Sequence, residues 1–280
     1  MVIGITGMLG STLLRHLVLD KSFDIYGTSR NATPLEIHKH LKYKHIANID
    51  VLDEVKLFHS IKGIQPDIII NCAGIIKQLN HLNDPLEILP INSLFPHKLN
   101  KHCILNNIKL IHISTDCVFS GKKGNYSEKD ISDAEDLYGK SKYIGELNNK
   151  TSLTIRTSII GHEIDTKLSL LEWFLSQTDE IEGYRKAIFS GLTTLELSNV
   201  ISKIIKNHPN LVGLYNVASE PISKYELLNL IAEIYSKEIK IIPVDNPEID
   251  RSLNPKKFID ETGIRILSWH NMINSMKLFG

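Results

Sequence analysis

The sequence predicts an α/β fold, with a doubly wound parallel sheet that carries helices on both faces and a smaller cap toward the C-terminal end. Short apolar runs alternate with longer amphipathic segments over the first 160 residues, and this repetition of strand and helix is typical of parallel sheets. The run 68–70 (Ile-Ile-Ile) has no polar alternation, as expected of a strand covered on both faces. After about residue 161 the repetition becomes irregular, which indicates the cap.

Six strands and four helices are predicted for the first domain, residues 1–160. The strands span residues 1–6, 23–28, 45–49, 67–71, 109–114 and 153–157. The helices span residues 11–19, 53–61, 91–106 and 136–148. Because each strand is followed by a helix or a long connection, the order implies right-handed crossovers between parallel neighbours.

Residues 161–280 are expected to form mainly the cap, although a helix near 193–207 is expected to join the first domain. Helices are predicted at 168–177, 194–207 and 224–235, strands at 213–217 and 240–243, and a loop at 246–257. Ser223 is a suitable N-cap for the helix 224–235, and Glu226 is its partner in a capping box.

Composition and charge exclude several classes of protein. The 280 residues contain 32 Lys and Arg and 32 Asp and Glu, whereas a sequence-independent nucleic-acid binder should be basic. The three cysteines form no CxxC pair, so we expect neither a disulfide framework nor a metal site. His38, His40 and His45 are expected in a solvated loop. No basic leader and no bilayer-long apolar run is visible, so we expect a cytoplasmic protein without a membrane partner.

A glycine-rich turn follows the first predicted strand and opens the first predicted helix. A diphosphate that approaches the N-terminus of a helix is favoured by the free N–H groups there, and side chains at the glycines would block it. The strand–turn–helix context supports a dinucleotide site of the Rossmann type. The predicted cradle consists of Gly4, Gly7, Met8, Leu9 and Gly10.

The choice of dinucleotide is read at the end of the second strand. An NAD enzyme places an acidic residue there, and an Arg suits the 2′-phosphate of NADP. Ser29 and Arg30 occupy this position without an acid, which favours NADP(H), with NAD(H) as the alternative and a solvent-facing Arg30 as the other interpretation. Five more residues are placed beside the cofactor by topology alone: Asp50, Val51, Cys72, Ala73 and Gly74.

Tyr138 and Lys142 are four residues apart on a predicted helix and therefore share a face. A cation beside a phenol lowers its pKa, and the phenol can then exchange a proton with a carbonyl oxygen while a nicotinamide supplies hydride. Thr115, at the end of the strand before this helix, can share the developing oxyanion. The pair alone is more typical of a solvated helix face, and the glycine cradle upstream is what favours catalysis.

With these motifs the chain resembles the extended short-chain dehydrogenases/reductases, and most closely the dTDP-4-dehydrorhamnose reductase group. The resemblance covers nearly the whole chain. It rests on the glycine turn, the Tyr138/Lys142 pair, the block Ser-Thr-Asp-Cys-Val-Phe-Ser-Gly at 114–121, and the segments 156–158, 190–194 and 251–254.

The resemblance implies NADPH-dependent reduction of a nucleotide-linked 4-keto-6-deoxyhexose for surface polysaccharides, by a monomer or homodimer. Thr115, Tyr138 and Lys142 would be catalytic, with Lys142 also on the nicotinamide ribose. The nicotinamide would lie near Thr157 and Ser158. On the substrate side, Asn92 would support the active site, although it is equally well interpreted as a plain helix cap. Arg251 would contact the diphosphate of the substrate. Trp173 either lines the substrate pocket or packs in the core or an interface.

Two departures from the family pattern leave alternatives open. Cys117 stands where the reductases usually carry Tyr; it is either a packing residue or, with His162, an acid–base pair of an epimerase that also reduces. Lys77 lies in a segment that replaces the usual acidic one, so it is expected near the sugar or a phosphate, and UDP-linked sugars become plausible. A third alternative is a non-catalytic NADP-binding regulatory subunit, as in methionine adenosyltransferase.

Overall fold

The computed structural model describes residues 1–76, 84–164 and 167–280, so Lys77 lies outside the described residues. The strands, in chain order, are β1 (Val2–Ile3), β2 (Tyr26–Thr28), β3 (Lys44–Ile46), β4 (Ile68–Asn71), β5 (Lys109–Thr115), β6 (Ser152–Thr157), β7 (Ile159–Ile160), β8 (Ile181–Tyr184), β9 (Ala187–Phe189), β10 (Leu192–Thr193), β11 (Gly213–Asn216), β12 (Ile222–Ser223), β13 (Ile241–Val244) and β14 (Ile249–Asp250).

The helices are α1 (Met8–Leu17), α2 (Glu54–Ile64), α3 (Pro85–Leu89), α4 (Phe95–Leu105), α5 (Leu137–Ile144), α6 (Leu170–Ser176), α7 (Thr194–Asn207), α8 (Lys224–Tyr235), α9 (Lys256–Thr262) and α10 (Trp269–Phe279). A π-helical segment, Pro90–Leu94, joins α3 directly to α4. π-Bulges of this kind are frequent at functional sites.

Seven parallel strands form the central sheet in the order β11-β6-β5-β4-β1-β2-β3. The order reverses between β1 and β4, because the chain moves outward from β1 in one direction and from β4 in the other. In such sheets ligands bind in the crevice outside the carboxyl ends of the strands at this switch point. The predicted doubly wound parallel sheet is confirmed.

Both faces of the sheet are covered, as the apolar strand sequences predict. Ile69 and Ile70 are neighbours in β4 and are both buried, yet they belong to different apolar clusters, since adjacent strand residues point to opposite faces. One cluster packs under α1 and α7, the other under α2 and α4. Each fully buried Leu or Ile stabilises the fold by about 1.5–3 kcal/mol.

The second half of the chain adds three small sheets, β10-β7, β12-β9-β14 and β13-β8. The apolar cluster under α1 and α7 continues into α8 and α10. The predicted capping box is confirmed: Ser223 accepts from the N–H of Glu226, whose carboxylate accepts from the N–H of Ser223. No helix of the described chain combines the length and apolar character needed to cross a bilayer.

Three features of the second half differ from the prediction or were not predicted. β11, which lies within 161–280, is the edge strand of the central sheet, paired in parallel with β6. The stretch 246–257 is not simply a loop, because it holds β14 and the start of α9; β14 pairs with β9, a contact between distant residues. α10 was not predicted, although its buried Trp269, Met272, Ile273 and Met276 have helical spacing.

Candidate active site

The glycine turn between β1 and α1 is shaped to receive an anion. Gly4 has a φ of +86°, which favours glycine, and a Cβ on Gly10 would lie 2.1 Å from the carbonyl oxygen of Gly4. At Gly7, which N-caps α1, a Cβ would meet only that oxygen, at 3.7 Å. No side chain caps α1 and its first turn holds no acid. The open N-terminus therefore fits the diphosphate of a dinucleotide.

The residues predicted around the adenosine end lie at the carboxyl ends of β2 and β3. Arg30 is exposed and Ser29 is buried, with the Ser29 hydroxyl 2.8 Å from Nε2 of His45. Asp50 accepts from the N–H of Leu52 within its own turn. Arg30 and Asp50 are both exposed at this edge of the sheet, and Arg30 is the cation that a 2′-phosphate contact would use.

His38 corrects the prediction of a solvated histidine loop. Its ring is fully buried, and Nε2 lies 2.8 Å from the hydroxyl of Ser11 on α1. Burial, followed by the charges of Arg15 and His45, lowers the pKa of His38 to about 4. The loop after β2 is thus held against α1 by a neutral histidine, a contact between residues too distant for any local pattern to indicate.

Asn92 connects the strand end after β4 to the helix that carries Tyr138. Its side-chain oxygen accepts from the N–H of Ile75 at 2.8 Å, and its nitrogen donates to the carbonyl of Ile75 at 3.0 Å and to the hydroxyl of Ser141 at 3.1 Å. Asn92 lies inside the π-helical segment and is not a helix cap. The Asn92 amide therefore ties the strand end after β4 to α5 through protein partners, and its role at the site stays a prediction.

Thr115 and Tyr138 meet at the carboxyl end of β5. The Thr115 hydroxyl is close enough to the Tyr138 phenol to lower the pKa of the phenol. The same hydroxyl donates to Asp116 Oδ1 at 3.1 Å and accepts from the N–H of Cys117 at 3.2 Å. A Cβ on Gly139 would lie 2.2 Å from the Cys117 carbonyl, so α5 packs directly on this turn. The hydroxyl groups of Thr115 and Tyr138 therefore lie close together, as predicted.

Tyr138 differs from the prediction in its ionisation. The pKa of the phenol is raised, first by burial and then by the charge of Cys117, with the Thr115 hydroxyl acting in the opposite direction. Burial thus outweighs the lowering of the pKa that the spacing of Tyr138 and Lys142 predicts. The phenol is therefore protonated at neutral pH, which is the form that donates a proton to a ketone oxygen.

Lys142 is buried on the same helix, and its ammonium group donates to the Ile113 carbonyl at 2.7 Å. The ammonium nitrogen lies 3.9 Å from the position a Cβ would take on Gly74, so it borders the strand end after β4 that was predicted to pass the cofactor. Burial lowers the pKa of Lys142 to about 8, while the charges of Glu146 and Cys72 raise it. Cys72 itself is a poor thiolate, because burial raises its pKa to about 12.

A buried ion pair lies behind these groups and was not predicted. Arg156 on β6 donates from Nε and Nη2 to the two carboxylate oxygens of Glu146, both at 2.7 Å. Ser114 on β5 donates to the same carboxylate at 2.7 Å. In the sequence, the available sign that Glu146 has a charged neighbour was its four-residue spacing from Lys142.

The substrate side is bordered by the turn after Thr115 and by residues from the second half of the chain. Cys117 is partly exposed, and its charge raises the pKa of both Tyr138 and Lys224. Arg251 donates from Nε to the Phe119 carbonyl at 2.8 Å and borders a cavity of about 240 Å³ that also contacts Lys122 and Asp136. Lys224 was not predicted, and only the tertiary structure brings it to this turn.

His162 does not pair with Cys117 as the epimerase alternative expected. Its Nδ1 lies 2.6 Å from the carboxylate of Glu172, and its Nε2 lies 2.9 Å from the hydroxyl of Tyr235. Both ring nitrogens are thus occupied on α6 and α8. His162 instead borders a larger cavity of about 690 Å³ beside α1, away from the catalytic residues.

The remaining predicted residues are placed as follows. Thr157 is buried at the end of β6 and donates to the carbonyl of Ser158, which accepts from the N–H of Leu192. Trp173 is 37% exposed on α6, and its place in the substrate pocket stays a prediction. In the ranges 1–76, 84–164 and 167–280, no group of three His, Cys, Asp or Glu side chains is arranged to hold a metal ion.

The switch-point crevice, the glycine cradle and the Thr–Tyr–Lys arrangement define the class of the extended short-chain dehydrogenases/reductases. Residues 1–271 match the family model described as the RmlD substrate binding domain, and the chain belongs to that family.

Several named proteins are similar to this chain in sequence. The chain is 30% identical over 243 residues to the spore coat polysaccharide biosynthesis protein SpsK of Bacillus subtilis, covering 80% of this chain and 83% of the relative. It is 25% identical over 260 residues to a dTDP-4-dehydrorhamnose reductase of Aggregatibacter actinomycetemcomitans, covering 88% of this chain and 83% of the relative. It is also 27% identical over 251 residues to the methionine adenosyltransferase 2 subunit beta of Mus musculus, covering 84% and 72%.

Solved structures share the fold. A hypothetical dTDP-4-dehydrorhamnose reductase from Sulfolobus tokodaii superposes with a TM-score of 0.79 at 25% identity, covering 96% of this chain and 97% of the other. A dTDP-4-dehydrorhamnose reductase from Bacillus anthracis, solved in complex with NADP, gives a TM-score of 0.79 at 22% identity, covering 99% and 97%.

Proposed function

We propose that this protein uses NADPH to reduce the ketone of a nucleotide-linked 4-keto-6-deoxyhexose during surface-polysaccharide synthesis. The observation that carries the proposal is the proximity of Thr115 and Tyr138 at the end of β5, with the ammonium group of Lys142 at the neighbouring strand end. The names of two relatives, a spore coat polysaccharide biosynthesis protein and a dTDP-4-dehydrorhamnose reductase, support the substrate class.

The cofactor would supply hydride to the ketone carbon. Gly7 and the first turn of α1 would hold its diphosphate, Arg30 its 2′-phosphate, and Lys142 its nicotinamide ribose. NADPH is favoured over NADH because the end of β2 offers Arg30 and no acid.

Tyr138 would protonate the ketone oxygen as negative charge develops there. Its raised pKa keeps the proton on the phenol until the substrate is bound. The Thr115 hydroxyl would donate a second hydrogen bond to the same oxygen and so stabilise the developing charge. The phenolate that remains after transfer would then be reprotonated from solvent, as its raised pKa favours.

The proposal includes the division of the chain and its state in solution. Residues 1–160, joined by α7, would bind the cofactor, and most of 161–280 would bind the nucleotide sugar. The protein would be cytoplasmic and a monomer or homodimer. Leu94 and Ile144, on neighbouring helical segments, are each about half exposed (51% and 52%), which favours the homodimer; sedimentation velocity separates the two.

Two alternatives compete with this function. A non-catalytic NADP-binding subunit is suggested by the similarity to methionine adenosyltransferase 2 subunit beta, but the presence of Thr115, Tyr138 and Lys142 together favours catalysis. The epimerase is disfavoured because both ring nitrogens of His162 are bonded elsewhere.

The test is a screen of dTDP-, UDP- and GDP-linked 4-keto-6-deoxy sugars, following the absorbance of NADPH and, in parallel, of NADH. We expect steady oxidation of NADPH with at least one of them. A protein that binds NADPH tightly and reduces none of these sugars would contradict the proposal and favour the regulatory subunit.

A further inference from the structure

His112 is a buried polar residue in the middle of β5, and it is paired with Asn71 on the neighbouring strand β4. The two residues lie opposite each other in the sheet, and Nδ1 of His112 is 3.2 Å from the amide nitrogen of Asn71. An amide nitrogen can only donate, so Nδ1 accepts and the ring hydrogen is on Nε2. Burial, followed by the charges of Lys142 and His97, holds the pKa of His112 well below its usual range. The ring is therefore neutral, and Nδ1 is free to accept.

The other nitrogen of His112 shows that this residue is not chosen for stability. Within the part of the chain that the structure describes, Nε2 is buried and has no hydrogen-bond partner. A buried N–H without a partner costs free energy. Leu110, two residues earlier on the same face of β5, packs in the apolar cluster under α2 and α4 without such a cost. A local conflict of this kind is expected where a residue serves a function.

Asn71 passes the contact on to the strand end after β4. Its side-chain oxygen accepts from the N–H of Ala73 at 3.1 Å, while its nitrogen donates to His112. Because the two ends of the amide have different partners, the amide has one orientation. The turn formed by residues 71–74, here called the β4 turn, is thus fixed through His112.

The β4 turn lies between the glycine cradle and Lys142. A Cβ on Gly4 would be 3.2 Å from the backbone nitrogen of Ala73. A Cβ on Gly74, one residue further, would be 3.9 Å from the ammonium nitrogen of Lys142 and 3.3 Å from the side-chain oxygen of Asn92. A shift of this turn would therefore change the space between the cradle and the ammonium group.

We propose that His112 is a positioning residue for the nicotinamide half of the cofactor. Its Nδ1 holds the Asn71 amide, which fixes the β4 turn between the diphosphate cradle and the ammonium group of Lys142. The assignment rests on the proposed function, because there Lys142 holds the nicotinamide ribose. His112 acts through Asn71 and contacts neither cofactor nor substrate.

The test compares NADPH with 2′,5′-ADP by isothermal titration calorimetry on the full chain. The second probe carries the adenosine half and the 2′-phosphate but no nicotinamide ribose. His112→Leu leaves the Asn71 amide without its acceptor, so it should weaken NADPH binding by about 5-fold or more. Binding of 2′,5′-ADP should change by less than about 2-fold, because its contacts are on the other side of the cradle.

His112→Asn is the conservative variant that should rescue NADPH binding. The side-chain oxygen of Asn is bonded to Cγ, as Nδ1 is in His, so it can accept from the Asn71 amide from a similar position. We expect NADPH binding within about 2-fold of the wild type.

Thr154→Val is the matched control. Thr154 lies opposite His112 on β6, is equally buried, and bonds the N–H and the carbonyl of Leu147 through its hydroxyl at 3.1 and 3.0 Å. Its loss should lower the temperature of unfolding and leave the binding of both probes unchanged. Thermal unfolding of all three variants shows that the fold is retained.

Two results would overturn the assignment. If His112→Leu binds NADPH as tightly as the wild type, or loses NADPH and 2′,5′-ADP equally, His112 does not position the nicotinamide half. The proposed reduction would survive either result if the wild type oxidises NADPH with a keto sugar. A wild type that does not bind NADPH would contradict both the assignment and the proposed function.

Discussion

Glu146 and Arg156 form a bidentate ion pair, with both N–O distances 2.7 Å and side chains only 5% and 2% exposed. The pair joins the residues just after α5 to β6, and Ser114 joins it to β5. It lies one helical turn beyond Lys142, whose charged form it stabilises. Glu146 thus joins the helix to the sheet through Arg156 and Ser114, and it also favours the charged form of Lys142.

Glu146→Gln should move the basic limb of the pH–rate profile to lower pH. Lys142 loses its charge as the pH rises through about 8, and Glu146 raises that pKa against burial. Without the carboxylate the pKa of Lys142 falls further, so kcat/KM should begin to decline at lower pH. The measurement is the rate of NADPH oxidation between pH 6 and pH 10.

Ser114→Ala is the control for that shift, because it removes a hydrogen bond to Glu146 and leaves the charge. Its basic limb should stay in place. Glu146→Gln should also lower the free energy of unfolding by about 3–5 kcal/mol, since Arg156 remains buried without a counter-charge. An unchanged basic limb in a folded Glu146→Gln protein would show that Glu146 acts on stability alone.

Tyr138→Phe should lower kcat by about 10²–10⁴-fold, the usual contribution of a general acid. The change removes the hydroxyl that lies beside Thr115 and retains the rest of the ring. Binding of NADPH, measured by fluorescence titration, should stay within about 3-fold of the wild type. Turnover within 10-fold of the wild type would rule out Tyr138 as the proton donor.

Gly10→Ala should destabilise the protein and weaken NADPH binding together. Its Cβ would lie 2.1 Å from the Gly4 carbonyl oxygen, a backbone atom that cannot move without opening the turn. Gly63→Ala in α2 is the matched control, because nothing lies within 4 Å of its Cβ. That change should stabilise the helix by about 0.5–1 kcal/mol. Thermal unfolding with and without NADPH measures both effects, and equal behaviour of the two variants would argue against the cradle.

Cys117→Ser should retain reduction within about 5-fold, and the product formed in D₂O should carry no deuterium on carbons beside the former ketone. Proton abstraction there needs an acid–base pair, and His162 is bonded to Glu172 and Tyr235. Mass spectrometry of the product, with an enzyme-free sample for spontaneous exchange, makes the measurement. Enzyme-dependent deuterium that disappears in Cys117→Ser would establish the epimerase.

Local pattern was sufficient for β1 to β6, for α1, α2, α4 and α5, for the glycine turn and for the capping box at Ser223, but it did not predict α3, the π-helical start of the helix expected at 91–106, or β7. Each depends on residues within one or two turns of each other, where spacing and backbone sterics dominate. The Tyr138–Thr115 contact was also predictable, because the topology of a parallel sheet brings strand ends to one edge.

Tertiary structure alone decided the contacts between distant residues. His38 is buried against Ser11, β14 pairs with β9, and Arg251 donates to the Phe119 carbonyl in the turn after Thr115. The ionisation of Tyr138 belongs to the same group, because burial raises a pKa that spacing alone predicted to fall. The sequence by itself determined the fold, since the pattern of strands, helices and turns follows from local geometry. The charge states of the buried groups follow from desolvation and long-range packing, which no local pattern records.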